Sequence, residues 1–205
     1  MTAAARRSPG HEIDPLFHER WSPRAFSDAE IPVATLRGLF EAARWAPSAM
    51  NAQPWRFVWA RRGTPAFDRL LATLAPANQA WARRAAALVA LASAETLTVA
   101  GQGAVPSASH AFDAGAAWAQ LALQAHLWGW GTHAIGGFDR AAAAEAIGLP
   151  AAHRLEVVIA IGKRGDPGTL PEWAKARERP NDRKAVEEIA FEGTFGVAQE
   201  QEQER

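Results

Sequence analysis

Apolar residues recur along this chain with two periods. Leu36, Leu39, Phe40 and Ala43 stand at i, i+3, i+4 and i+7, the spacing that lines one helix face. They predict a helix over residues 32–46, with Pro32 suited to its first turn. Phe67, Leu70, Leu71 and Leu74 repeat that spacing. Trp118, Leu121, Ala122 and Ala125 mark one face of a long helix that starts near Asp113 and is ended by Gly129 and Gly131. Residues 140–149 read as one more helix. The second period is two. Trp55, Phe57 and Trp59 alternate with Arg56, Val58 and Ala60, as in a half-buried strand. The apolar run at 87–92 is short for a helix and predicts a buried strand. Residues 155–162, LEVVIAIG, give the clearest strand. Residues 93–110 read as a loop, 134–136 as a brief strand or loop, and 188–196 as one last strand. The polar stretch 163–184 carries Pro167, Pro171 and Pro180 and is expected to wrap a surface.

Strands and helices do not alternate strictly, so no doubly wound sheet is expected. No internal repeat or linker divides the chain. The reading is a flexible N-terminus over 1–12, a single domain over 13–197 and a disordered acidic tail over 198–205. A chain of 205 residues is long enough for a substantial core. Lys and Arg number 22, as do Asp and Glu, so nothing in the net charge points to nucleic acid or a membrane surface. The first residues lack the apolar stretch of a secretory signal, and no apolar run reaches bilayer-spanning length. There is no cysteine, which excludes disulfides, thiolate nucleophiles and thiolate-held metals. These features fit a cytoplasmic protein. The six histidines, among them His11, His18, His126 and His153, show no metal-ligand spacing, and no metal site is expected. Gly101-Gln-Gly103 and Gly129-Trp-Gly131 do not extend into a dinucleotide fingerprint. No Walker A or GxSxG sequence is present.

The candidate chemistry lies between residues 20 and 57. Arg20, Ser22 and Arg24 stand two apart and can reach one anion. Arginine suits phosphate because its planar fork donates bidentate bonds and keeps its charge. Alone, the same residues also describe a solvated turn. The loop PSAMNAQPW follows the predicted helix. Pro47 and Pro54 bracket it and bias Ala46 and Gln53 toward extended backbone, while Ser48, Asn51 and Gln53 supply polar side chains. Polar loops on rigid scaffolds are common binding sites.

Taken in order, these segments resemble the FMN-dependent nitroreductase family. Its Arg-x-Ser-x-Arg-x-Phe pattern reads here as Arg20 to Phe26, its Ala-x-x-Ala-Pro-Ser as Ala43 to Ser48, and its Asn-x-Gln-Pro-Trp as Asn51 to Trp55. Asp113-Ala-Gly115, then Gly129-Trp-Gly131 and Ile135-Gly136-Gly137-Phe138-Asp139, look like the family's second flavin segment. Arg183-Lys184 is a third match. The resemblance spans roughly residues 13–197. It implies an α+β fold with a mixed, mainly antiparallel central sheet flanked by helices. It also implies an intertwined homodimer with flavin at the subunit interface and a C-terminal segment laid on the partner.

The resemblance further implies residue roles. Arg20 and Ser22 would meet the FMN phosphate and ribityl end, and Arg24 the pyrimidine edge, where a fixed cation stabilises the reduced anion. Trp21 lies in the same segment, where many relatives carry a basic residue or histidine. Arg183, with Lys184, would complete the phosphate clamp. Pro47, Ser48, Ala49 and Asn51 would come from the other subunit. Ala134, Ile135, Gly136 and Gly137 would lie near flavin N5; Gly136 stands where some relatives carry glutamate. Asn78 and Arg84 approach the cofactor on the same grounds. Met50, Trp81, Phe112 and His133 are candidates for the open face, with ordinary packing as the competing reading. The implied activity is NAD(P)H-dependent reduction of nitroaromatics, quinones or a related small acceptor, by ping-pong hydride transfer through flavin N5. Water can supply the protons, so no catalytic side chain is assigned. Two alternatives stay open: a specialised relative acting as dehydrogenase, dehalogenase or flavin-degrading enzyme, or a non-catalytic flavin-binding dimer.

Overall fold

The apolar run that opens at Ala87 forms the middle of the protein, because helices cover both of its faces. A computed structural model describes residues 7–196. In chain order its elements are α1 (Pro15–Glu19), α2 (Val33–Arg44), β1 (Trp55–Arg61), α3 (Pro65–Ala72), α4 (Pro76–Ala82), β2 (Ala87–Ala94), β3 (Thr96–Val99), β4 (Gly103–Pro106), α5 (His110–Leu127), β5 (Gly131–Ile135), α6 (Arg140–Ala146), β6 (His153–Gly162) and α7 (Glu172–Lys175). The main sheet runs β1-β2-β6-β5. All of its pairings among the described residues are antiparallel.

The pleat sends alternate residues of β2 to opposite sides. Leu88, Ala90 and Ala92 pack with Phe67 and Leu70 of α3, Trp81 and Ala82 of α4, and Ala143 of α6. Val89 and Leu91 pack with Leu36, Leu39 and Ala43 of α2, and with Ala114, Ala117, Leu121 and Ala125 of α5. The result is a helix–sheet–helix sandwich of α+β type. A strand buried on both faces reads as a continuous apolar run, which is why ALVALA shows no alternation. The edge strand β1 does alternate. Phe57 stacks on Phe40 of α2 at 5.3 Å between ring centroids, while Ala60 enters the opposite core.

Local chemistry sets the helix ends. Thr64 caps α3 by accepting the Phe67 N–H, with Pro65 in the first turn. Asp139 caps α6 by accepting the Ala142 N–H at 3.0 Å. After α5 the chain reverses at Gly129, whose φ of 70° suits glycine.

Three expectations change. Residues 93–110 are not a plain loop: β3 and β4 form an antiparallel hairpin, Leu97 facing Val105. Its glycines and serines hid the strands, which cover little core and so carry no apolar signal. No strand forms over 188–196; a short turn at Val186–Glu188 is followed by irregular chain. Gln53 is not extended but left-handed, with φ 48°, because local hydrogen bonds override the bias set by Pro54. The tail at 198–205 lies outside the described residues. At the other end, Arg7 donates to the carbonyls of His18 and Arg20 at 3.0 and 2.8 Å.

Candidate functional site

The Arg20–Phe26 segment is held from three sides. Asp14 caps α1 by accepting the Leu16 N–H at 2.8 Å, and the chain leaves α1 extended at Arg20. Beyond β6, the Gly165 N–H donates to Ala25 O, and the Ser27 N–H to Lys163 O, both at 2.9 Å. A Cβ on Gly165 would stand 2.5 Å from the Phe26 backbone, so only glycine permits this crossing. From the arm after α7, the Glu178 carboxylate accepts the Arg24 N–H at 2.9 and 3.0 Å and the Ala25 N–H at 2.9 Å. From β5, His133 Nδ1 lies 3.1 Å from Pro23 O. A carbonyl only accepts, so this nitrogen carries the proton.

Held this way, Arg20, Trp21, Ser22, Arg24 and Arg183 line one cleft of about 80 Å³ together with Arg7, Arg177, Arg179 and Asn181. Arg20 and Ser22 also border a neighbouring cleft of about 390 Å³, whose other walls include Phe17, Trp118, Leu123 and Ala134. Among the described residues no ion pair neutralises Arg20, Arg24, Arg177 or Arg179. Burial, with repulsion from Arg7 and Arg183, lowers the proton affinity of Arg20. Arg24 is lowered chiefly by burial and also by Arg177, against an opposing pull from Glu178. Guanidiniums stay charged under such shifts, so the cleft is a standing positive potential that suits a phosphate.

The other expected residues are placed differently. Lys184 is exposed beside Arg183 and does not line the cleft. Ile135 is 3% exposed and packs in the core. Gly136 borders open space, whereas a Cβ on Gly137 would meet Asn78 at 2.8 Å. Asn78 Nδ2 donates to Gly137 O at 3.0 Å, which fixes that turn. Pro47, Ser48, Ala49 and Asn51 line neither cleft of their own chain. Their loop is strained: Met50 and Asn51 have φ of 52° and 54°, conformations that cost of order 1 kcal/mol or more each. Buried Asp113 accepts the Ala49 N–H at 3.2 Å, and Ser48 Oγ accepts the Gln53 N–H at 3.0 Å. These bonds hold the strained shape.

Trp81 is not on an open face. It is 1% exposed, packed against Phe26 and His133 at 6.2 and 4.7 Å, and the Arg24 guanidinium lies over its ring at 6.0 Å. Its size drives it into the core beneath the arginine. Arg84 donates to Phe26 O and to Asp28 at 3.2 and 3.0 Å and so braces the segment from behind. Met50 and Phe112 are exposed. Arg7, Arg177, Glu178, Arg179 and Asn181 belong to the site although no motif singles them out. The run Arg177-Glu178-Arg179 directly before Pro180 is the one local signal that points to them.

Burial holds His133 down to about 4, with Arg24 adding repulsion, against hydrogen bonds to Pro23 and Ser22. It is neutral at pH 7. The unfolded state binds its proton near pH 6.5, so His133 costs stability as pH falls from about 6.5 toward 4. In that window His133→Gln should lose less stability than the parent. A nuclear magnetic resonance titration should show no protonation of His133 above about pH 5.

The fold and clefts define a class: an α+β sandwich with an arginine-lined cleft beside an apolar one. The family model of the nitroreductase family matches residues 18–163, and the chain belongs to that family. The crystal structure of an oxidoreductase containing FMN superposes with a TM-score of 0.90 at 40% identity, covering 95% of this chain and 98% of that one. A 15.4 kDa protein of Mycolicibacterium smegmatis is 36% identical over 149 residues, 69% of this chain and 97% of its own. A Streptomyces coelicolor protein named as an NADH dehydrogenase/NAD(P)H nitroreductase is 37% identical over 73 residues, 36% of each chain. Among the described residues no helix is long and apolar enough to cross a membrane.

Proposed function

We propose that this chain is an FMN-dependent oxidoreductase that takes electrons from NAD(P)H and passes them to nitroaromatics, quinones or a related small acceptor. The observation that carries this reading is the set of unneutralised guanidiniums of Arg20 and Arg24, beside Ser22 and Arg183, in a cleft that shares Arg20 and Ser22 with an apolar neighbour. A phosphate with a flat apolar body attached fits that pairing of surfaces. Arg20, Ser22 and Arg183 would hold the phosphate, and Arg24 would place a fixed cation near the ring system. Gly136 leaves room for a planar group to approach backbone. When bound, FMN supplies the two-electron chemistry. The protein binds, orients and excludes water. His133 is neutral at working pH and is no proton donor there.

The proposed assembly is a homodimer with shared sites. The outward face of α5 carries Phe112, Gly115 and Ala119, all exposed, on a helix that is apolar nearly all round, a pattern that calls for a second covering surface. Loop residues 47–51, which line neither cleft of their own chain, would then complete the partner's site.

The test is the visible spectrum of purified protein before and after anaerobic addition of NADPH, then of NADH. A flavin spectrum that bleaches is expected. A flavin that stays oxidised with both donors would sink the reductase reading. Colourless protein that takes up no added FMN would sink the cofactor as well.

A further inference from the structure

The arginine cleft holds more positive charge than one cofactor phosphate neutralises. Six arginines line it. A phosphate monoester carries about −1.5 to −2 at pH 7. Among the described residues two acidic side chains stand nearby, and both are engaged with backbone: Glu178 with the N–H groups of Arg24 and Ala25, and Asp182 with that of Arg183. Counting both carboxylates and the phosphate against the six guanidiniums still leaves about two positive charges. They have a definite location. Arg7 and Arg183 already donate to main-chain carbonyls, and Arg20 lies deeper than the arm. Arg177 and Arg179 are exposed, stand two apart on the arm after α7, and both line the cleft. Neither is in an ion pair among the described residues. Glu178 between them ties the arm to the Arg24 and Ala25 backbone, so the arm is fixed while its two exposed guanidiniums line the cleft.

We propose that Arg177 and Arg179 form a second anion subsite at the mouth of the cleft, and that it takes a phosphate group of the dinucleotide electron donor. This rests on the FMN oxidoreductase reading above. Two forks side by side match the several acceptor oxygens of a phosphate. A dinucleotide brings such a group in two forms: the diphosphate common to NADH and NADPH, and the 2′-phosphate of NADPH alone. The arm is thereby a selector for donor, separate from the clamp that holds the cofactor.

The experiment uses FMN-loaded protein carrying Arg177→Ala and Arg179→Ala, singly and together. In the double variant, kept saturated with added FMN, KM for NADPH should rise about tenfold or more, equivalent to about 1.4 kcal/mol. Calorimetric binding of adenosine 2′,5′-bisphosphate to the oxidised loaded protein should weaken in parallel. An equal rise in KM for NADH assigns the subsite to the diphosphate; an unchanged NADH value assigns it to the 2′-phosphate. Unchanged KM for both donors overturns the proposal and leaves the oxidoreductase reading standing. Loss of FMN, with unchanged KM in the fraction still loaded, also overturns it, by returning both arginines to the cofactor clamp. Parent protein that takes up no FMN removes both readings together.

Discussion

Replacing Arg20 and Arg183 together by alanine is expected to give largely FMN-free protein. Hydrogen bonds from a charged donor are worth roughly 1.5–3 kcal/mol each. Losing two such partners should therefore weaken binding by about 10² to 10⁴-fold. The fold should survive. The Arg20 guanidinium is in no ion pair among the described residues, and its charge is repelled by Arg7 and Arg183. Among the described residues Arg183 Nη1 donates to the nearby carbonyls of Asn181 and Asp182. Without FMN, the thermal midpoint of the variant should match or exceed that of the parent, because removing like charges from one cleft relieves repulsion. Flavin content after purification and a titration with FMN are the measurements. Full occupancy in the double variant would sink the phosphate assignment.

Truncation after Lys184 should dissociate the proposed dimer and release flavin with it. The arm beyond that point places Val186, Ile189 and Phe195 in solvent, Phe195 at 91% exposure. Phe191 touches Phe195 at 5.2 Å between ring centroids. Residues this apolar, held this open, would suit a surface on the second chain of the proposed dimer. Burying a large apolar side chain contributes about 1.5–3 kcal/mol. Removing four should raise the dimer dissociation constant by at least about 10³-fold, after allowance for ordering costs. Light scattering across a dilution series reads the mass, and absorbance reads the flavin. A truncated chain that remains a flavin-loaded dimer would show that the arm is not the tie.

Elements with a marked apolar pattern are legible from the amino-acid sequence. Leu36, Leu39 and Ala43 announce α2 because a helix buries one stripe. Leu88 to Leu91 announce β2 because a central strand buries both faces. The β3–β4 hairpin is not legible, since its residues are half-exposed and lack a core signal. The expected strand over 188–196 fails for the converse reason. Ile189 and Phe191 have strand-like composition, but no neighbouring strand among the described residues pairs with them. The extended backbone expected at Gln53 fails because a local propensity of a fraction of a kcal/mol yields to a network anchored on a buried aspartate, here Asp113 and Ser48.

The site divides in the same way. Residue identity fixes charge and donor geometry. It therefore establishes that Arg20, Ser22 and Arg24 stand in one short segment and that Arg183 is available far downstream. The apolar runs that build the sandwich are equally a property of the linear chain. Folding alone brings Arg177 and Arg179 into that cleft, sets Trp81 under Arg24 instead of facing a ligand, and leaves loop 47–51 out of the walls of both clefts. The reason is physical. Periodicity reports which face of an element leaves water, whereas convergence depends on contacts between residues more than a hundred positions apart. Glu178 binding the Arg24 backbone and His133 meeting Pro23 are such contacts, and neither leaves a trace in local sequence.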